Sequence, residues 1–181
     1  MTDEQLVIEY QETNAERCFE QLMDRHVRKV RGMVYAMVLN DHDTDDLTQE
    51  VFLRAARNLD RFGGKAKFSS WLHRVTMNVV YDFLRHRKRN RVDHRENLPD
   101  EGCKRPTPDA VLAGSEATDD IHSAMAALPP LLRSAISLTA IHGLSAGEAA
   151  RVEKCLPATM YWRVHEARRR LRKDLKELLV S

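Results

Sequence analysis

The sequence predicts an all-α protein built as two small helical domains joined by a flexible acidic linker, and three observations carry that reading. Apolar residues recur at three- and four-residue spacing over long stretches, the period of helices that bury one face. Only seven Gly and six Pro interrupt the 181 residues. Between about 96 and 120 the composition changes: Pro99, Pro106 and Pro108 break any helix, and Glu96, Asp100, Glu101, Asp109, Glu116, Asp119 and Asp120 outnumber Lys104 and Arg105. The division expected is therefore a domain over 1–95, a linker over 96–120 and a second domain over 121–181.

The first strong helix is the stripe Phe19, Leu22, Met23, His26, Val27, Val30, Val34, Met37 and Val38, ending near the turn-rich Asn40-Asp41-His42-Asp43. Asp43 or Thr44 is placed to cap the next helix, with Asp45 and Asp46 in its first turn favoured by the helix dipole. Its inward stripe is Leu47, Val51, Ala55 and Leu59, and Gly63-Gly64 closes it. Ser69 or Ser70 is the expected cap of a third helix that buries Leu72, Val75, Val79, Val80, Phe83 and Leu84 and ends in a basic tail. Beyond the linker, Ile121, Met125 and Leu128 begin a new pattern, which pauses at Pro129-Pro130 and resumes through Leu132, Ala135 and Ile136 to Gly143. Ser145 and Glu148 form a capping box, a hydroxyl and a carboxylate three residues apart that satisfy each other's backbone N–H groups. A short helix starts there. The last helix opens at Pro157, a residue suited to a first helical position, and turns Met160, Val164, Ala167 and Leu171 inward. Leu156 brings no capping oxygen to that start, a cost of about 1 kcal/mol partly offset by Pro157.

Composition excludes several classes. Lys and Arg number 29 against 27 Asp and Glu, a formal charge of +2, so any signal lies in local clustering. No apolar run approaches the length that crosses a bilayer, and mean hydropathy is −0.51, so no membrane insertion is expected. Met1-Thr2-Asp3-Glu4-Gln5 lacks the basic start and apolar core of an export signal, which places the expected location in the cytoplasm. Cys18, Cys103 and Cys155 are far apart without a CxxC pair, so neither disulfides nor a zinc site is expected. The phosphate-loop, dinucleotide, zinc-protease and serine-hydrolase signatures are missing. No catalytic residue, metal or cofactor is assigned. His26, on an apolar stripe, reads as a core or boundary histidine.

Three surfaces are candidates for function. A two-turn helix, a short turn and an Arg-rich second helix make the pattern of a helix-turn-helix. With Met160 and Val164 inward, the final helix presents Tyr161, Trp162, His165 and Arg169, flanked by Arg163 and Arg168, a face suited to a major groove or equally to a solvated basic surface. Large aromatics at the surface favour the groove. Around the third helix, Phe62, Lys65, Lys67, Phe68, Trp71, Arg74, Asn78 and Arg85 mix rings, amide and cations, the recipe for holding single-stranded nucleic acid; Phe62, Phe68 and Trp71 also serve as ordinary packing residues. On the second helix, Asp46, Gln49, Glu50 and Leu53 lie together away from the buried stripe, as a partner surface or a solvated face.

The runs Asp45-Asp46-Leu47-Thr48-Gln49-Glu50-Val51-Phe52-Leu53-Arg54-Ala55 and Phe68-Ser69-Ser70-Trp71-Leu72, with Asn78 and Asp82-Phe83-Leu84-Arg85, closely resemble region 2 of extracytoplasmic-function sigma factors, members of the sigma-70 family. Ala127-Leu128-Pro129, Arg133, Gly143-Leu144-Ser145, Glu148-Ala149-Ala150, Thr159, Arg163 and Ala167-Arg168-Arg169-Arg170-Leu171-Arg172 resemble their region 4. The resemblance implies an initiation subunit of bacterial RNA polymerase, not an enzyme, that meets the clamp helices and flap of the core, melts a minus-10 element and reads a minus-35 element. It implies that Asp46, Gln49, Glu50 and Leu53 meet the polymerase. Lys67, Phe68, Ser69, Trp71, Arg74, Asn78 and Arg85 would hold the non-template strand, and Thr159, Tyr161, Trp162, Arg163 and His165 duplex bases or adjacent phosphates. Arg168 and Arg169 would mainly hold phosphates, which position without specifying sequence. An anti-sigma protein is an implied partner, and the acidic linker would follow the path of exiting RNA. The alternative is a stand-alone helix-turn-helix regulator, which needs the last helix but neither the α-helical acidic face nor the melting loop.

Overall fold

The computed structural model describes residues 1–95 and 116–178, and every regular element among them is helical. The run is α1 (Asp3–Thr13), α2 (Glu16–Val38), α3 (Asp41–Asn58), α4 (Phe68–Arg95), α5 (Glu116–Ala127), α6 (Pro130–Ile136), α7 (Ala146–Val152) and α8 (Pro157–Leu178). A 3-10 turn at Leu59–Arg61 follows α3, and a π-helical turn at Ser137–Ile141 follows α6. Most of the linker read in the sequence lies outside the described residues. Its C-terminal end does not: α5 begins at Glu116, inside the stretch assigned to the linker.

The first domain packs α1 to α4 around Leu22, Val30, Met33, Met37, Val51, Ala55, Leu59, Leu72 and Val80, each 1% exposed or less. The inward stripes of α2 and α3 are thus the predicted ones. Helix α1 is an addition, since the acidic opening carries Leu6 and Val7 into the core. Thr2 caps it in a reciprocal box, accepting from Gln5 N–H at 3.2 Å while Gln5 Oε1 accepts from Thr2 N–H at 2.8 Å. Two predicted caps are corrected. Asn40, not Asp43 or Thr44, caps α3, its Oδ1 accepting from Asp43 N–H at 2.9 Å, so the helix starts earlier and takes Asp43 and Thr44 into its first turns. Helix α4 begins at Phe68 rather than after Ser69 or Ser70, and its freed N–H donates to Glu4 Oε1 of α1 at 3.2 Å. A carboxylate from a distant helix takes the role expected of a local hydroxyl.

In the second domain, Met125, Leu128, Leu132, Ile136 and Ala167 form a small core between α5, α6 and α8. Gly143, at φ 72°, turns the chain out of the π-helical turn, a backbone conformation costly for a side chain. The Ser145–Glu148 capping box forms as predicted: Ser145 Oγ accepts from Glu148 N–H at 3.3 Å, and Glu148 Oε2 accepts from Ser145 N–H at 2.9 Å. Lys154 takes a left-handed φ of 52° in the turn between α7 and α8. The larger apolar core runs on from the first domain through Ala135, Leu138, Ala149, Ala150, Val152 and Met160, so the two domains share packed apolar surface.

Candidate nucleic-acid and partner interfaces

Helix α8 projects the predicted face. Met160 and Ala167 are buried, which turns Tyr161 and Trp162 to solvent at 66% and 61% exposure, with His165, Arg168 and Arg169 also exposed. Thr159 is half-buried at the start of the helix. Arg169 donates twice to Glu166 at 2.8 Å and Arg170 donates to the same carboxylate at 2.7 Å. That fork holds Glu166 down to about 2, hydrogen bonds from the two guanidinium groups being the cause. Arg168 makes no ion pair among the described residues, which leaves its charge available to an incoming anion.

Arg163 departs from the expected face. Its side chain is 15% exposed and stands 3.5 Å from Glu153, itself 3% exposed. The turn at Lys154 folds the end of α7 beneath α8, and a buried carboxylate there draws the guanidinium inward.

Around the start of α4 the aromatic set is split. Phe68 is 1% exposed, against His26, Phe62 and Trp71 at ring-centroid distances of 5.4, 6.1 and 5.6 Å. Its assignment to the strand-holding surface is therefore corrected: it is a core residue, because α4 starts two to three residues earlier than its hydroxyls suggested and carries Phe68 inward. Trp71 remains half-buried and Ser69 likewise, while Lys67, Asn78 and Arg85 are exposed. Two clefts flank Trp71. One, about 300 Å³, is lined by Arg54, Asn58, Arg61, Trp71, Val75 and Asn78, so α3 contributes a cation and an amide, and the 3-10 turn after it a second cation, that spacing along α4 does not reveal. The other, about 510 Å³, runs from the loop Gly63–Lys67 and Arg74 to Glu148 and Arg151 of α7. Arg85 donates to Asp82, which Arg54 also reaches at 2.8 Å; these guanidinium groups hold the Asp82 carboxyl below its ordinary range.

The acidic face of α3 stays outward. Asp46, Gln49 and Leu53 are exposed, Leu53 at 52%, and half-buried Glu50 accepts from Arg54 at 2.6 Å. Leu53 thus stands exposed among acids and an amide.

A capped helix-turn-helix with a basic aromatic face, beside a helical bundle with its own cationic clefts and an outward acidic face, defines a two-domain DNA-binding protein. Residues 22–90 match the Sigma-70 region 2 family and residues 118–171 match Sigma-70 region 4. The chain is 33% identical over 158 residues to the ECF RNA polymerase sigma factor SigE of Mycolicibacterium smegmatis, covering 85% of this chain and 60% of that protein. It is 30% identical to the ECF sigma factor SigW of Bacillus subtilis, over 88% of this chain and 90% of the relative. Among solved structures, RpoE bound to the anti-sigma factor NepR from Bartonella quintana matches at TM-score 0.72 and 26% identity, over 87% of this chain and 96% of that one. CnrH with the cytosolic domain of CnrY matches at TM-score 0.71 and 25% identity, over 97% of each chain. The chain belongs to the extracytoplasmic-function group of the sigma-70 family of transcription initiation factors. A match to region 2 across α2 to α4 disfavours the stand-alone regulator, which has no use for that domain. Among the described residues no helix is long and apolar enough to cross a membrane.

Proposed function

We propose that this chain acts in the cytoplasm by joining bacterial RNA polymerase core through the outward face of α3, with Asp46, Gln49, Glu50 and Leu53 as contacts, and directs it to promoters carrying a minus-35 and a minus-10 element. The exposed face of α8 reads duplex through Tyr161, Trp162 and His165, with Arg168 on phosphate. Lys67, Trp71 and Asn78 hold bases freed by melting. An anti-sigma protein is the partner proposed to restrain it, as NepR, the partner of RpoE, is named. The observation that carries the reading is the exposure of Leu53 and Gln49 on the same chain as a recognition helix. Purified core should gain run-off transcription from mapped promoters with this chain. Gln49→Ala and Leu53→Ala should lower core pull-down; unimpaired binding by both would remove that face from the account.

Two substitutions separate the DNA roles. Arg168→Ala should weaken binding to all promoters alike and reduce the salt slope by about 1, as loss of one phosphate contact does; sequence-selective weakening would assign Arg168 to bases instead. Asn78→Ala should leave affinity for minus-35 duplex intact and reduce permanganate reactivity at the melted minus-10 element. Footprints equal to those of the parent would exclude a role for Asn78 after melting.

A further inference from the structure

The loop that carries Lys65 and Lys67 into α4 is pinned at both ends by α1. At its start, Gln11 Nε2 donates to the carbonyls of Leu59 at 2.8 Å and Phe62 at 3.0 Å, closing the exit of the 3-10 turn. At its finish, Glu4 Oε1 accepts from Phe68 N–H. Glu4 and Gln11 are two helical turns apart, so they share one face of α1 and stand about 10 Å from each other along its axis. Val7, between them, is buried. The helix is itself braced on α2, where Asp3 accepts from Arg25 at 2.9 Å and its other oxygen lies 2.6 Å from His26 Nε2.

The loop has little of its own to hold it. Residues 63–67 are all exposed, and Gly64 sits at a left-handed φ of 66°. Two adjacent glycines leave the free backbone many conformations, so a fixed path needs anchors from outside. The loop is also a partition. On one side lies the 510 Å³ cleft beside Trp71, and on the other an open depression of about 670 Å³ that the loop shares with Thr2, Asp3, Glu4 and Arg25.

We propose that α1 positions this loop, with Glu4 and Gln11 as positioning residues that set where Lys67 stands when the chain takes up a melted strand. The proposal rests on the initiation-factor reading above. Both residues bind main-chain groups at the ends of the loop, so they fix its path whatever its side chains do. A carboxylate beside a phosphate-binding loop repels the strand, which leaves Glu4 the task of holding backbone. Gln11 is exposed, so its contact contributes locally rather than to the core.

The test uses the full chain, first alone and then with polymerase core. Gln11→Glu keeps the shape but turns an acceptor toward two carbonyls, and Gln11→Lys restores N–H donors at the same place. In the chain alone, trypsin cleavage after Lys65 and Lys67, read by fragment mass, should be about tenfold faster in Gln11→Glu than in the parent, at an unchanged urea midpoint. Gln11→Lys should be cleaved at these two sites like the parent. With core, affinity for the single-stranded non-template minus-10 oligonucleotide of a mapped promoter should fall about tenfold in Gln11→Glu and recover in Gln11→Lys. Core pull-down and minus-35 duplex affinity should stay at parental values throughout. Glu4→Ala, with rescue by Glu4→Gln, which keeps an oxygen for Phe68 N–H, repeats the comparison from the other end of the loop.

Parental cleavage and parental oligonucleotide affinity in Gln11→Glu and Glu4→Ala would overturn the proposal. So would Gln11→Lys and Glu4→Gln behaving like the variants they are meant to rescue, or faster cleavage without loss of oligonucleotide affinity. A fall in core binding alongside the fall in oligonucleotide binding would overturn it too, because α1 would then be a general support. Failure of the initiation-factor reading has a separate signature: a parent that neither binds core nor yields transcript, while cleavage of the chain alone still reports whether α1 holds the loop.

Discussion

Phe68→Ala is expected to destabilise region 2 by about 3–5 kcal/mol, the cost of deleting a fully enclosed aromatic ring and leaving a cavity that its neighbours fill only in part. Phe68 is 1% exposed and touches the rings of His26, Phe62 and Trp71, and its own N–H is held by Glu4. Removing it therefore loosens the junction of α1, α2 and α4 and the floor beneath the loop that precedes α4. Urea unfolding of the full chain measures the loss. Phe68→Leu, which refills most of the volume, should cost much less and should leave promoter melting near that of the parent. If instead Phe68→Ala left the unfolding midpoint in place and abolished melting, the ring would belong on the strand-holding surface after all.

Acidification should unfold the protein through His73. This imidazole is 8% exposed, its Nδ1 has no hydrogen-bond partner among the described residues, and burial, with His142 just after the π-helical turn and His26 and Lys29 of α2 adding positive potential, pushes it down to about 4 from its ordinary 6.5. His26 itself lies 2.6 Å from Asp3, so that carboxylate is already engaged by another histidine and an arginine. A group with a depressed folded pKa takes up its proton more readily in the unfolded chain. Its contribution is complete above about pH 6.5 and falls away between there and pH 4, by about 3 kcal/mol in all. Denaturant curves of the parent and of His73→Leu, taken from pH 7 to pH 4, isolate this from the titrating carboxylates: the parent should lose about 3 kcal/mol more than the variant. Parallel losses would show that another group governs the acid limit.

Local order alone determined much of this protein. The stripes of α2, α3 and α8 and the Ser145–Glu148 box rest on residues one helical turn apart, and a helix repeats on that scale whatever surrounds it. For the same reason the outward side of α3 and the aromatic face of α8 followed from which residues must turn inward. Helix α1 was hidden because its apolar content is slight and its value lies in the neighbours that cover Leu6 and Val7. The start of α4 was misplaced because its N–H partner, Glu4, is 64 residues away. Arg163 and Phe68 look, by type and spacing, like groups for nucleic acid.

Their inward positions depend on Glu153 and on the ring cluster at the α1–α4 junction, contacts between segments that no periodicity registers. The placement of the second domain against the first was likewise decided by tertiary structure. Burial, shared apolar surface and hydrogen bonds such as those of Tyr81 and Arg133 arise only when distant segments meet, whereas helix formation and its amphipathic face are already set by near neighbours in the chain.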